Sequence, residues 1–523
     1  MPVARVRPTL QRDTAAPVED AAGLKSSVAG ILNRHPTVGL AVGVVRDGHL
    51  ERFHAHGVAD IASGTPITAD TAFRVASITK TFTAIAAMQL WEQGLVDLDA
   101  AAGDYLRAYR LVPAKPGWRP VTIRHLMTHT AGLPELASPG GALRPDFGES
   151  VKAGTPVSSL ATFYGGALRV AIEPGTTFRY GNHAPATLGQ IVEDVSGLPL
   201  HRYFREHVFG PLGMDETDLL RSDAVRSRLA TGYEFGRGVP RAVEHREMVT
   251  AGAASVYSTP RDMARYLAAL LGGGANEHGR VLQPATLASM FAPQYQPDPR
   301  IPGLGLAFFR VDLGGRPAVE HQGTLPGFHS QIFLAPDDGV GVMAFTNGSV
   351  NPDFWLPAEC AGLLRALLGL PDDVIRMDVA QHPEAWQDLC GWYRLPGPLT
   401  DVRVRTFFGA GVEVFVRGGQ LMLRFLTPVP TLFRGFPLRP DDEADPDVFR
   451  VDMSGLGPFS MRVVFGREPG RGVTTANLDL MPLSLARQPA ATNPRRWATG
   501  ALAAVGTAAI ATAARRRRSR PRG

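Results

Sequence analysis

Cysteine is nearly absent from this chain of 523 residues, which contains only Cys360 and Cys390. Two cysteines cannot form a disulfide framework, so the fold depends on packing and the redox compartment stays open. Lysine is also scarce, since only four of the 54 basic residues are lysine and the rest are arginine. A guanidinium keeps its proton at neutral pH whereas an ammonium can lose it, so each lysine is a candidate for acid–base chemistry.

Several signatures of other enzyme classes are missing as well. The chain has no P-loop, no dinucleotide-binding glycine fingerprint and no Gly-x-Ser-x-Gly elbow, which argues against nucleotide enzymes and α/β-hydrolases. His125 and His129 have the i, i+4 spacing of zinc ligands, but no glutamate follows His125 and no third ligand is evident. We therefore predict neither a metal nor a cofactor and interpret both histidines as structural residues.

The length of 523 residues predicts two or three domains. The net charge of +5 at pH 7 would suit a nucleic-acid partner. However, eight arginines and no acidic residue lie from residue 495 onward, so the preceding chain has a net charge of −3. Nucleic-acid binding requires a basic face on the folded body, and we exclude it on this ground.

The hydrophobic pattern divides the first part of the chain in two. Residues 1–20 are polar and lack the apolar stretch of a signal peptide, which predicts a flexible N-terminus and a cytoplasmic protein. Residues 21–372 form the main predicted domain, with strands at 38–45 and within 329–346. Helices are predicted at 76–94, 186–196 and 260–272.

The pattern changes after a helical stretch that ends near Leu370. Alternating apolar residues predict strands at 402–406 and 412–416, followed by a hairpin at 417–420. Residues 385–485 are therefore predicted to form a separate, small β-rich domain. This domain carries no second set of catalytic residues, so we favour a stabilising appendage slightly over a lid on a substrate site.

The remaining tail, residues 486–523, is rich in alanine and arginine. Its uncharged stretch 497–514 would extend about 27 Å as a helix, which barely spans the hydrocarbon region of a bilayer. Because large apolar side chains are few, a helix lying on an anionic membrane surface is slightly favoured over a spanning helix, and a disordered tail is the third alternative. Residues 497–523 are thus a candidate membrane attachment.

The strongest functional signal is a serine and a lysine three residues apart. Ser77 and Lys80 lie at the predicted start of the helix 76–94 and share one helical face. A helix N-terminus disfavours an ammonium and offers unpaired backbone N–H groups, so Lys80 is suited to accept a proton and the N–H of Ser77 to stabilise an oxyanion. For this motif alone, the alternative is a capping serine beside a solvent-directed lysine.

Two further motifs follow in the chain. Tyr180 and Asn182 form a Tyr-x-Asn motif after a Pro-Gly turn, and His321 and Gly323 form a His-x-Gly motif at a predicted strand edge. The three motifs in this order resemble those of the serine β-lactamase and penicillin-binding-protein superfamily, and more specifically the class C β-lactamase-related group that includes esterases and D-aminopeptidases. The resemblance covers about residues 20–370 and includes framing segments at 125–134, 258–263 and 326–328.

This resemblance implies an α+β fold in which helices flank an antiparallel sheet beside an all-helical subdomain, with the C-terminal β domain added to it. It also implies a serine hydrolase that forms a covalent acyl-enzyme on Ser77 and cleaves an ester, amide or peptide of small size. A catalytically silent protein that keeps the fold for binding or as a scaffold is the alternative from another class.

In the mechanism that the resemblance implies, two residues share the role of the base. Lys80, or Tyr180 as a phenolate stabilised by Lys80, takes the proton of Ser77 as it attacks the carbonyl carbon. Because the two groups are coupled, the sequence leaves the choice between them open. Asn182 is expected to hold Lys80 or an amide of the substrate through its carbonyl and amide groups.

The third motif is expected to complete the site. The backbone N–H of Thr324 is implied as the second oxyanion donor, and Gly323 is expected to let the substrate backbone approach closely. His321 stands where dedicated β-lactamases carry a lysine. Imidazole is mostly neutral at pH 7, so this difference argues against strong β-lactam turnover. A surface histidine at a strand end is the alternative for His321.

Overall fold

The computed structural model describes residues 21–137, 139–236, 238–397 and 402–495. A seven-stranded antiparallel sheet lies at the centre of the main domain, with the strand order β4-β5-β6-β7-β1-β2-β3. These strands are β1 (Gly39–Arg46), β2 (His49–Asp60), β3 (Thr65–Pro66), β4 (Phe309–Asp312), β5 (Pro317–Leu325), β6 (Phe328–Ala335) and β7 (Val340–Thr346). Strand β1 of the N-terminal hairpin thus pairs with β7, the last of the strands β4 to β7.

Helices cover both faces of this sheet. The longer ones are α1 (Ala21–Arg34), α2 (Thr79–Glu92), α3 (His183–Ser196), α4 (Pro260–Leu271) and α5 (Pro352–Leu367). Successive residues of a strand point to opposite faces. In β1, Leu40 and Val42 accordingly pack with α1 and α5, whereas Ala41 belongs to the core that includes α2, α3 and α4.

Short helices and ribbons complete the main domain. The helices are Ile123–Met127, Leu160–Phe163, Leu200–Phe204, Asp223–Arg226, Ala251–Ala254 and Pro284–Phe291. The ribbons pair Phe73–Arg74 with Tyr257–Ser258, Arg110–Pro113 with Ala167–Val170, Ser150–Lys152 with Arg246–Met248, and Tyr233–Gly236 with Val239–Ala242. The predicted fold class is confirmed, although its helical part also contains these ribbons.

The C-terminal part forms a closed barrel of eight antiparallel strands. They are β8 (Gly391–Arg394), β9 (Gly411–Arg417), β10 (Gln420–Phe425), β11 (Phe436–Pro440), β12 (Val448–Asp452), β13 (Ser460–Glu468), β14 (Gly472–Leu478) and β15 (Leu483–Gln488). Closure pairs every strand on both sides, which removes exposed strand edges.

One predicted strand of the β-rich domain is wrong. The segment Val402–Phe408 is a helix, although its first residues alternate between apolar and polar side chains. Val404, Phe407 and Phe408 also have the i, i+3, i+4 spacing of a helical stripe, and they pack on the barrel core. The strand at 412–416 and the hairpin at 417–420 are confirmed by β9 and β10.

A shared core joins the barrel to the main domain. Phe178 and Leu304 of the main domain pack with barrel residues such as Tyr393 and Leu485. Arg300 adds polar contacts across the same boundary. Its guanidinium donates to the carboxylate of Asp445 at 2.9 Å and to the carbonyl of Phe465 at 2.8 Å.

The described residues include no helix that is long and apolar enough to cross a membrane. Two predictions fall elsewhere: the flexible N-terminus 1–20 and the candidate membrane segment 497–514 lie outside the described residues.

We expect Arg300→Ala to destabilise the joint between barrel and main domain. The change removes hydrogen bonds to Asp298, Asp445 and the Phe465 carbonyl, which costs about 1–2 kcal/mol of unfolding free energy once solvent screening is allowed for. Arg376 is the matched control, since it pairs with Asp378 and Glu443 at an exposed position, and its alanine variant is expected to change stability less. Equal shifts in urea denaturation would contradict the role of Arg300.

Candidate active site

Ser77 lies in a tight turn, Ala76–Ile78, directly before α2. The preceding residue, Ala76, is fully buried and has a φ of 50°, in the left-handed region that alanine rarely adopts. A backbone conformation of this kind costs roughly 1–3 kcal/mol and persists only where the surroundings impose it. The N–H of Val75 donates to the carbonyl of Val256 at 3.0 Å, which fixes the start of the turn that presents Ser77.

Lys80 points from the first turn of α2 back to Ser77. Its Nζ lies 2.8 Å from Ser77 Oγ, 2.9 Å from Asn182 Oδ1 and 3.0 Å from the carbonyl oxygen of Ala253. These three acceptors match the three hydrogens of an ammonium, on a side chain that is only 1% exposed. In the neutral state, the same 2.8 Å contact places the amine lone pair where it can take the proton of Ser77.

Asn182 holds Lys80 from the start of α3. An asparagine at a helix N-cap ordinarily accepts a hydrogen bond from the first turn, but the Asn182 side chain makes no such bond. Its Oδ1 accepts from Lys80, and its Nδ2 donates to Glu149 Oε2 at 2.6 Å. Thr250 Oγ1 donates to the same carboxylate oxygen at 3.3 Å. The Asn182 side chain therefore does not cap the helix but joins a buried hydrogen-bond network that reaches Ser77 through Lys80.

Glu149 is the member of this network that sequence reasoning missed. It is 1% exposed and follows Asp146 and Phe147, two residues with positive φ. No motif or periodic pattern marks this segment, and its contact with Asn182 joins residues 33 positions apart. Only the tertiary structure shows that this carboxylate fixes which end of the Asn182 amide faces Lys80.

Tyr180 is fixed beside Lys80 by its ring. The centroid lies 5.0 Å from Lys80 Nζ, within the range of a cation–π contact. The ring also packs against His129 at 4.6 Å and Phe309 at 6.2 Å between centroids. The N–H of Arg179 donates to the carbonyl of His129 at 2.7 Å, which connects the Tyr-x-Asn segment to the segment that contains His129. This proximity couples the charge of Lys80 to the phenol.

His321 is buried, so the alternative of a surface histidine is wrong. It is 1% exposed, and its Nδ1–H donates to the Gln322 carbonyl at 2.7 Å. This bond leaves Nε2 as the unprotonated nitrogen, with no hydrogen-bond partner in the described part of the chain. Burial and the positive charge of Lys80 lower the pKa of His321 to about 3.

The two histidines of the i, i+4 pair have separate surroundings. Nδ1 of His125 accepts from the N–H of Thr122 in a capping box at the start of Ile123–Met127. His129 lies against Tyr180, and burial, with a smaller effect of Lys80, holds its pKa well below the ordinary value. The residues that the structure describes include no cluster of three or more metal-ligating side chains.

Gly323 lies where strand β5 meets the turn that carries Ser77. A Cβ at this position would lie 2.2 Å from the carbonyl oxygen of Val75 and 2.3 Å from Ser330 Oγ. Glycine thus lets strand β5 approach the turn that carries Ser77. The next residue, Thr324, is exposed, and its hydroxyl donates to Asp353 Oδ1 at 2.5 Å. The two elements that carry the predicted oxyanion donors are therefore packed together, whereas the donor roles stay predictions.

A cavity of about 650 Å³, here called the chamber, lies between the main domain and the barrel. Tyr180 and Thr324 line it on the main-domain side, and Phe407, Phe459 and Met481 line it on the barrel side. Whether the barrel is a stabilising appendage or a lid on a substrate site stays a prediction. The barrel forms one wall of a cavity that reaches two of the predicted site residues.

We expect the buried His321 to make stability depend on pH. Its pKa is about 3 in the folded state and about 6.5 in the unfolded state, so the unfolded state binds the extra proton between these values. The folded state therefore loses up to about 1.4 kcal/mol per pH unit as pH falls below 6.5. Urea denaturation from pH 7.5 to 4.5 should show a shallower pH dependence for His321→Gln; parallel curves would contradict this.

Comparison with known proteins agrees with the fold and with the predicted family resemblance. The Beta-lactamase family matches residues 24–359. Penicillin-binding protein 4 of Amycolatopsis lactamdurans is 28% identical over 347 residues, which cover 64% of this chain and 86% of that protein. A beta-lactamase of Yersinia enterocolitica is 27% identical over 369 residues, which cover 65% of this chain and 89% of that protein.

The solved structure of an octameric penicillin-binding protein homologue from Pyrococcus abyssi is similar over 90% of this chain and 100% of that chain, with a TM-score of 0.57 and 22% identity. That coverage extends beyond the family match, which ends at residue 359, and shows a similar fold over most of the chain. Since the family match spans more than half of the sequence, this chain belongs to the beta-lactamase family.

Proposed function

We propose that this protein is a serine hydrolase that cleaves an ester or amide through a covalent acyl-enzyme on Ser77. The observation that carries the proposal is the 2.8 Å contact between Lys80 Nζ and Ser77 Oγ, made by a lysine that is almost fully buried. A nucleophilic hydroxyl beside a base that is itself held in place is the arrangement acyl transfer requires. Membership of the beta-lactamase family supports the same chemistry.

Acylation follows from the positions of these groups. Ser77 Oγ attacks the carbonyl carbon while its proton passes to Lys80, directly or through Tyr180. The N–H groups of Ser77 and Thr324 stabilise the oxyanion. The bond to the leaving oxygen or nitrogen then breaks, and the leaving atom receives the proton from the same relay. In deacylation the same base takes a proton from water, and the water oxygen attacks the acyl carbon. The bond to Ser77 Oγ then breaks, and this oxygen regains its proton.

The surroundings of His321 bear on the substrate. A low pKa keeps the imidazole neutral at physiological pH, so this position offers no fixed positive charge to a substrate carboxylate. Its Nε2 can instead accept a hydrogen bond from a donor on the substrate or from the Tyr180 phenol. Neutral esters and amides therefore suit the site better than β-lactams that carry a carboxylate.

We expect Ser77→Ala to abolish both ester turnover and covalent labelling, because no attacking oxygen remains. Lys80→Arg should lower kcat by at least about 10²–10⁴-fold, since a guanidinium keeps the charge but does not act as a base at neutral pH. Labelling with a fluorophosphonate or penicillin probe, followed by intact-protein mass spectrometry, measures the first effect, and hydrolysis of a chromogenic acetate measures both.

The same experiment separates an enzyme from a catalytically silent relative. Circular dichroism of each variant must match the wild type, so that loss of activity is not loss of fold. Wild-type turnover that survives Ser77→Ala would reject the mechanism. A well-folded wild type that neither reacts with either probe nor hydrolyses any tested ester would favour the binding or scaffold alternative.

Glu149 is expected to act as a positioning residue. Glu149→Ala removes the acceptor of Asn182 Nδ2, so the amide loses its orientation toward Lys80, and kcat is expected to fall about 10–100-fold. Glu149→Gln keeps an acceptor oxygen at the same reach and should restore most of kcat. Steady-state kinetics of both variants provide the measurement, and a Gln variant as impaired as the Ala variant would show that the negative charge itself is needed.

A further inference from the structure

The chamber follows a strand edge that the sheet leaves open. Strand β4 pairs only with residues 317–320 of β5. In the part of the chain that the structure describes, residues 321–325 of β5 pair with β6 on one side and with no strand on the other. This free stretch carries His321 and Thr324, and the side chains of Gln322 and Thr324 line the chamber.

The walls of the chamber are mostly apolar. Phe309 of β4 and Phe333 of β6 both lie opposite Glu320 in register, so they belong to one face of the sheet. Ala361 of α5 and Leu395 of the barrel extend this surface. The volume of about 650 Å³ falls within the range of about 300–1,000 Å³ for sites that bind small molecules.

The position of the chamber indicates which part of a substrate it receives. Tyr180 and Thr324 contribute to its lining, whereas Ser77, Lys80 and Asn182 are not among the lining residues. In the proposed mechanism, Lys80 returns the proton to the leaving atom directly or through Tyr180, whose ring centroid lies 5.0 Å from Lys80 Nζ. A group that occupies the chamber beside Tyr180 is therefore the one attached to that atom.

The charged groups of the chamber disfavour an anionic leaving group. Glu320 accepts from Gln331 Nε2 at 2.7 Å, and Asp479 accepts from the N–H of Arg462 at 2.8 Å. Burial raises the pKa of Glu320 to about 7 and that of Asp479 to about 6. The guanidinium of Arg310, which also lines the chamber, donates from Nε to the carbonyl of Phe291 at 3.1 Å. Glu135 and Asp353 also line the chamber and Arg179 is its second basic residue, so four acidic side chains stand against two basic ones. An excess of acidic groups repels a carboxylate but does not repel a neutral apolar chain.

We infer that the chamber binds the leaving group of the substrate, and that this group is a neutral, extended apolar alcohol or amine. The inference rests on the proposed function and specifies its substrate class. Ser77 Oγ forms the new bond to the acyl carbon, the bond from that carbon to the alcohol oxygen or amine nitrogen breaks, and the relayed Ser77 proton goes to that atom. The barrel thereby determines which leaving groups are accepted.

Two ester series distinguish the two sides of the scissile bond. In n-alkyl acetates from butyl to decyl, the acyl group is constant and the leaving alcohols have nearly equal basicity, so chain length changes only binding. We expect kcat/KM, measured by acid release below micellar concentrations, to rise roughly fourfold for each methylene that enters the chamber. Methyl esters of butanoic to decanoic acid, which extend the acyl side, should show a much smaller rise.

Substitutions within the chamber test its role directly. Met481→Arg places a charge among the lining residues and should lower the ratio of kcat/KM for octyl over butyl acetate at least tenfold. Met377→Arg is the matched control, because Met377 is 70% exposed and not among the residues that line the chamber. If Met481→Arg does not fold, Val404→Trp fills the chamber instead, with Val374→Trp at a 72% exposed position as its control.

The outcomes separate this inference from the proposed function. A rise in the acyl series with a flat alkyl series would overturn the assignment to the leaving group. Flat profiles in both series, or equal effects of the chamber variants and their controls, would overturn the role of the chamber while Ser77-dependent turnover still supports the hydrolase. Turnover unaffected by Ser77→Ala would reject the proposed function, and the inference with it.

Discussion

The burial of the Lys80 amine is the constraint on which the site depends. An amine that is 1% exposed has lost its hydration, and this loss is tolerable only where hydrogen-bond acceptors replace water. The acceptors come from three separate places: Ser77 before α2, Asn182 at the start of α3, and the carbonyl of Ala253. Satisfying one buried ammonium therefore brings together segments that are about 100 to 170 residues apart and places it against the hydroxyl of Ser77.

The same cation shapes the electrostatics of its neighbours. His129 and His321 are both buried, and Lys80 adds to the effect of burial in lowering the pKa of each. The imidazoles stay neutral, so Tyr180 lies between uncharged rings and one ammonium. In such surroundings the interaction between ammonium and phenol is screened less than it would be in water. The apparent ionisation of the site then belongs to Lys80 and Tyr180 jointly.

The parts of the site that sequence could predict are those set by local spacing. Ser77 and Lys80 come together because three residues make nearly one helical turn, and the strands predicted within 329–346 form the hairpin β6-β7. Glu149 escaped prediction because its role comes from a contact with Asn182 in an irregular segment. The helix Val402–Phe408 was mistaken for a strand because its residues fit both periodicities, and packing on the barrel core decided between them.

The barrel covers a strand edge that the central sheet leaves open. Strand β5 must be free of a neighbour beyond residue 320 if a substrate is to reach His321 and Thr324, yet an open strand edge invites pairing with other chains. A closed barrel has no edge of its own to offer, so it can cover this stretch without pairing to it. What remains between the two surfaces is a space lined by side chains from both. Protecting the edge and enclosing the chamber are thus consequences of the same packing.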